Sequence, residues 1–95
     1  MAIGVVVEEH IKEGQLEAYL GHMAEMVELT KQEDGCIAYD IYEEKDGSGG
    51  IVILEIWESE ECLEKHMASE HFQRLIPTAE AYLEKPHGIR VFNRL

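Results

Sequence analysis

Hydrophobic side chains arrive along this chain in short bursts, and the spacing within each burst is that of either a strand or a helix. Ala2 to Val7 (AIGVVV) is β-branched and lacks polar alternation, which predicts a strand buried on both faces. From Gly14 the period changes. Leu16, Tyr19, Leu20, Met23, Val27 and Thr30 recur at helical spacing, with Glu17, Glu25, Glu28 and Lys31 on the opposite side. Asp34-Gly35 ends that helix, glycine being suited to the left-handed residue beyond a helix C-terminus.

Cys36 to Glu44 alternates as a strand should, with Ile37, Tyr39 and Ile41 on one face and Ala38, Asp40 and Tyr42 on the other. Lys45 to Gly50 has the composition of a turn, and Ile51 to Trp57 (IVILEIW) completes a hairpin. Ile51, Ile53, Glu55 and Trp57 share one face of that strand; Val52, Leu54 and Ile56 share the other. Ser59 is a predicted N-cap, followed by Glu60 and Glu61 at the positive end of a short helix that carries Leu63, His66 and Met67. Ser69 offers a second cap. Phe72, Leu75, Ile76, Ala79 and Leu83 form the next stripe, which Pro77 should kink or restart. Lys85-Pro86 closes this segment, and His87 to Asn93 reads as a last strand.

The resulting order, β-α-β-β-α-β over residues 1–95, predicts one ferredoxin-like α+β domain with a four-stranded antiparallel sheet. Helices can cover only one face of such a sheet. The other face is expected to carry Val, Ile and Trp side chains, and a second copy packed sheet to sheet would bury them. A homodimer through the sheet face is therefore expected.

Composition narrows the partners. The 45% hydrophobic and 29% charged residues describe a folded chain rather than a disordered one. A net charge of -12, from 20 acidic and 8 basic residues, disfavours nucleic acid and anionic membrane surfaces. No apolar run approaches the roughly 20 residues that span a bilayer, and residues 1–7 lack the basic flank and long apolar core of a signal peptide. Cys36 and Cys62 are far apart and outside any CxxC pattern, which suits a reducing cytoplasm and buried apolar thiols.

The sharpest local pattern is ExWxSxExxxxHxxSxHF, made by Glu55, Trp57, Ser59, Glu61, His66, Ser69, His71 and Phe72. A strand ending in acid-x-Trp, a Ser cap and a His on the following helix resembles the antibiotic-biosynthesis monooxygenase family. Small quinol monooxygenases and an enzyme acting on a phosphorylated quorum-sensing signal are among its relatives. The resemblance extends over nearly the whole chain in element order and hairpin position. It includes Gly35 before strand two, Tyr39 on that strand and the closing Val91-Phe92-Asn93. It implies a dimeric α/β barrel. Haem-degrading relatives use an Asn on strand one, a Trp on the short helix and a His in the last helix. Here His66 stands where that Trp would lie, Ile76 is near the His position, and strand one has no Asn, so haem is not expected.

His66 is the first candidate catalyst, because an imidazole titrating near neutrality can take a proton from a phenol. Its plainer reading is a helix histidine that packs. His71 could bind an anionic substrate or hydrogen-bond the backbone between the helices. Glu55 is an acid in an apolar strand, open to two readings: a base of raised pKa, or an ion pair with Arg90 or Arg94. Together with Tyr39, it completes the candidate catalytic set of His66, Tyr39 and Glu55. Trp57, His71, Phe72 and Asn93 are candidate substrate contacts, with Tyr42 weaker.

No metal is expected, since His66 and His71 lie five apart across a helix break and the other histidines scatter. Gly47-Ser48-Gly49-Gly50 lacks the Lys and helix of a phosphate loop, and no dinucleotide fingerprint is present, so no cofactor is expected. Three readings remain open on the sequence. The first is a cofactor-independent monooxygenase acting on a quinol or other electron-rich aromatic, in a pocket between sheet and helices. The second is an isomerase or lyase acting on a small polar or phosphorylated metabolite. The third is a non-enzymatic dimeric binding module.

Overall fold

The computed structural model describes all residues from Met1 to Leu95. Its strands are β1 (Ile3–His10), β2 (Cys36–Glu43), β3 (Gly50–Trp57) and β4 (Gly88–Asn93), and its helices α1 (Leu16–Lys31), α2 (Glu60–Met67) and α3 (Glu70–Ala79), with a 3₁₀ turn at Glu80–Tyr82. The sheet is antiparallel throughout, in the order β2-β3-β1-β4. This is the ferredoxin-like arrangement, with the second helical segment divided in two. Both serines cap as their chemistry suggests: Ser59 Oγ accepts the Cys62 N–H at 3.2 Å, and Ser69 Oγ accepts the Phe72 N–H at 3.3 Å. Pro77 neither stops nor restarts α3; the helix runs through it and tightens into the 3₁₀ turn beyond Ala79.

The strand registers decide which side chains share a face. Val5 pairs with Glu55 and Val91, Val7 with Ile53 and Ile89, and Tyr39 with Glu55. Odd-numbered positions of the four strands therefore face the helices, apart from Ile37 beside a bulge in β2. Ile3, Val5, Val7, Tyr39, Ile51, Ile53 and Trp57 are buried there against Tyr19, Met23, Met26, Leu63, Leu75 and Ala79.

Four local expectations need correction. β1 extends three residues beyond Val7, so Glu8, Glu9 and His10 belong to the strand. Ile37 does not share the face of Tyr39, because a bulge between Cys36 and Ala38 turns it outward to 58% exposure. Leu20 lies on the exposed side of α1, and Met26, missed by the periodicity, takes its place in the core. Trp57 is absent from the open face of the sheet: its parity places it beneath the helices, fully buried. The open face instead carries Val6, Tyr42, Val52, Leu54, Ile56 and Phe92, so it remains strongly apolar without the tryptophan.

Candidate active site

The junction between α1 and β2 delivers the residue that organises the site. Past the end of α1 the Glu33 N–H bonds back to Thr30 O at 3.0 Å. Gly35 follows with φ +82°, and a Cβ there would collide with the Cys62 sulfur of α2. Glycine thus lets this turn sit directly on α2. Glu33 is then brought beneath the C-terminal turn of α2, where His66 lies.

Glu33 Oε2 accepts from His66 Nδ1 at 2.7 Å and from His71 Nε2 at 2.7 Å. Because the carboxylate can only accept, each imidazole donates, and His66 is held as the tautomer protonated on Nδ1. Its Nε2 is left as an acceptor, 4.0 Å from Glu55 Oε1. Glu55 Oε1 in turn accepts the Trp57 indole N–H at 3.0 Å, leaving Oε2 without a partner in the chain. Aromatic rings surround the imidazole: Trp57 at 4.6 Å between centroids, Phe72 at 5.2 Å and Tyr39 at 5.7 Å.

This environment is dry, and the titrations follow from that. His66 is 1% exposed and Glu55 6%. Burial pushes the Glu55 carboxyl up to about 7, with the Trp57 hydrogen bond opposing and the charge of Glu33 adding. Burial lowers the His66 pKa below its ordinary value, against the pull of Glu33. Near neutral pH the pair therefore combines a neutral imidazole with a carboxyl that still holds its proton much of the time. Burial also raises the Tyr39 phenol far above its normal range, with Glu55 contributing, so it stays a neutral donor. Its hydroxyl makes no hydrogen bond within the chain.

Tyr39, Glu55, His66 and Phe72 line a cavity of about 120 Å³ between the sheet and α2–α3, which otherwise has mostly aliphatic walls. Trp57, His71 and Asn93 lie outside that lining. Trp57 backs the wall by holding Glu55, His71 stands behind His66 on Glu33, and Asn93 is exposed near the end of β4. One sequence reading falls here. Glu55 makes no ion pair with Arg90 or Arg94, since Arg90 reaches Glu8 at 3.0 Å on the outer face of the sheet. His71 Nε2 is engaged by Glu33 at 2.7 Å, with Ser69 Oγ at 3.3 Å.

The five-residue spacing also fails to keep the two histidines apart. The Ser69 cap turns the chain so that both reach one carboxylate oxygen. Glu33, His66 and His71 place three donor atoms within 4.8 Å of one another, a carboxylate–imidazole set that suits a divalent transition ion. As built, a shared proton-donor arrangement occupies all three, and an ion would have to displace both N–H groups.

The sequence reading missed both Glu33, which no local spacing marks, and Glu9, which lies one step beyond the strand boundary drawn at Val7. Glu9 is 8% exposed, faces the same cavity from β1 and accepts a hydrogen bond from the Tyr19 hydroxyl.

Comparison with known proteins now places the molecule. Residues 2–78 match the family model described as antibiotic biosynthesis monooxygenase, and the chain belongs to that family. A crystal structure of a conserved protein from Methanosarcina mazei Go1 superposes with a TM-score of 0.96 at 28% identity, covering 100% of this chain and 94% of that one. A second, of an antibiotic biosynthesis monooxygenase, gives 0.89 at 30% identity and 98% coverage of both chains. Among curated relatives, the Mycobacterium tuberculosis protein named "Putative monooxygenase Rv0793" is 35% identical over 66 residues, 70% of this chain. The chain spans 64% of that relative's length, and 56% of the length of an uncharacterized Synechocystis relative.

Proposed function

We propose that the protein is a cofactor-independent monooxygenase that hydroxylates a quinol or similarly electron-rich phenol in the cavity beside His66. The observation that carries this reading is the ordered pair within the cavity. His66 is fixed by Glu33 with its free nitrogen facing Glu55, whose pKa lies at about 7. A neutral base beside a protonated acid, in a dry site near neutrality, is the arrangement that proton transfer to and from a phenol requires.

In this reading the phenolic O–H gives its proton to His66 Nε2, and the imidazolium is stabilised by Glu33 and the surrounding aromatic faces. Tyr39 donates to the phenolate oxygen. The ring carbon beside that oxygen supplies the electron pair for a C–O bond to dioxygen, and the peroxide formed takes the proton back from the His66 imidazolium to give a hydroperoxide. His66 then accepts the C–H proton as the O–O bond breaks, Glu55 protonates the departing hydroxide, and the imidazolium returns a proton to Glu55. One quinol and one dioxygen thus yield one hydroxyquinone and one water. The substrate is the only reductant. The apolar walls keep bulk water from protonating the phenolate before oxygen reacts.

A phosphorylated metabolite is a poorer match, because no Lys or Arg lines the cavity and several acids do. The test is oxygen uptake with a panel of quinols. Consumption well above the autoxidation blank is expected, and product formation under strict anaerobiosis would instead favour the isomerase reading.

The functional unit in this reading is a homodimer, formed by burying the open sheet face of each copy. Leu54 and Ile56 on β3 and Phe92 on β4 are 40%, 43% and 46% exposed there, with Gly4 of β1 between Ile56 and Phe92. The protein is expected to sediment as a dimer at micromolar concentration, and Leu54→Arg to shift it towards monomer. A wild-type monomer at that concentration would contradict this assembly.

A further inference from the structure

The cavity has a second polar end that the chemistry above leaves unused. Glu9 lies on β1, on the same face as Glu55, and lines the cavity together with Glu80 and His87. It repeats the construction of Glu55. One oxygen is held from behind by a buried aromatic donor, the Tyr19 hydroxyl, as the Trp57 indole holds Glu55. The other oxygen, Oε2, has no partner in the chain. Glu9 is more than nine-tenths buried, yet neither of its oxygens is a fully enclosed, unsatisfied atom. The free oxygen is therefore open to the cavity.

Such an acid costs stability unless something uses it. Apart from Glu9, the groups facing this end are acidic Glu80 and the His87 imidazole; no lysine or arginine is among them. A ligand carboxylate or phosphate would meet carboxyl groups there. A hydroxyl would meet a free acceptor.

Glu55 pairs with Val5 across the sheet, and Glu9 lies four residues further along β1, which sets the two Cα atoms about 14 Å apart. The two carboxyls, on one face of the sheet, thus stand towards opposite ends of the cavity, and a rigid two-ring ligand with a hydroxyl at each end fits between them.

We infer that Glu9, positioned by Tyr19, is a specificity residue that binds a second hydroxyl on the far end of an elongated aromatic substrate. This rests on the phenol-binding reading of the His66 end and defines its substrate class as a fused-ring diol with hydroxyls at opposite ends. Glu9 touches no reacting atom and sets which molecule is seated.

The test is calorimetric titration under argon with 2,6-dihydroxynaphthalene, 2-naphthol, 6-methoxy-2-naphthol and 6-hydroxy-2-naphthoate. Wild type is expected to bind the diol about tenfold more tightly than 2-naphthol, the value of one charge-assisted hydrogen bond, and to reject the naphthoate. In Glu9→Gln a neutral amide replaces the carboxylate and can still bond a hydroxyl, so the preference for the diol narrows; in Glu9→Val no polar partner is left and the preference collapses, while 2-naphthol binds as before. Tyr19→Phe, which leaves Glu9 in place but unheld, should narrow the preference and serves if Glu9→Gln folds poorly. Equal wild-type affinity for the diol and 2-naphthol would overturn the role of Glu9 and leave the phenol site standing. No binding of any naphthol would overturn the phenol site itself, and this inference with it.

Discussion

Glu55→Gln is expected to make the protein more stable at high pH and much less active. Burial raises the Glu55 pKa from 4.5 to about 7 in the folded chain. The unfolded chain therefore releases this proton first as pH rises. Wild-type stability is intact below pH 4.5 and declines as pH passes through about 7, by on the order of 3 kcal/mol from this group. Glutamine keeps an oxygen for the Trp57 indole and carries no charge to desolvate. Urea unfolding of both proteins should show equal stability near pH 4 and a clear advantage for Glu55→Gln at pH 9. A stability gap that is independent of pH would mean that Glu55 is not titrating as a buried acid. A residue that weakens the fold at the pH where it works is the signature expected of a functional group.

His66→Ala is expected to lower kcat/KM by about 10²- to 10⁴-fold, the usual contribution of a positioned base. Glu33→Gln should do less harm and in a different manner. The imidazole would remain, but its Nδ1–H would face a neutral amide, so the tautomer is less fixed and the imidazolium less stabilised. A fall in kcat with little change in KM is expected, because Glu33 lies outside the cavity lining. The pH profile adds a further check. Wild-type kcat/KM should fall above about pH 7 as Glu55 loses its proton, and this limb should disappear in Glu55→Gln. Steady-state oxygen uptake across pH would measure all of these. Unchanged activity in His66→Ala would remove the histidine from the chemistry.

Much of this arrangement is legible in the sequence because short-range rules govern it. The 51–57 strand alternates, so Glu55 and Trp57 necessarily share a face, and the Ser59 and Ser69 caps fix where two helices start. What is lost is whatever depends on distant packing. Glu33 sits in a run of polar residues after α1, where nothing local marks it, and meets His66 only because Gly35 seats that turn on α2. Glu9 was hidden by an early end to β1. Extending the odd-numbered series of Ile3, Val5 and Val7 by one step would have shown an acid facing inward. The side of the sheet on which Trp57 lies is hidden for a related reason. Both faces of β3 are apolar, so alternation alone does not say which one the helices cover, and that depends on how β3 pairs with β1.

The fate of dioxygen decides most directly whether this cavity is a monooxygenase site. Turnover of a quinol under isotopically heavy dioxygen, followed by mass spectrometry of the product, should show one heavy oxygen atom in the hydroxyquinone and the other in water, with neither arising in His66→Ala. A product carrying no heavy oxygen, or formed equally without the protein, would contradict the proposal that this cavity is a monooxygenase site.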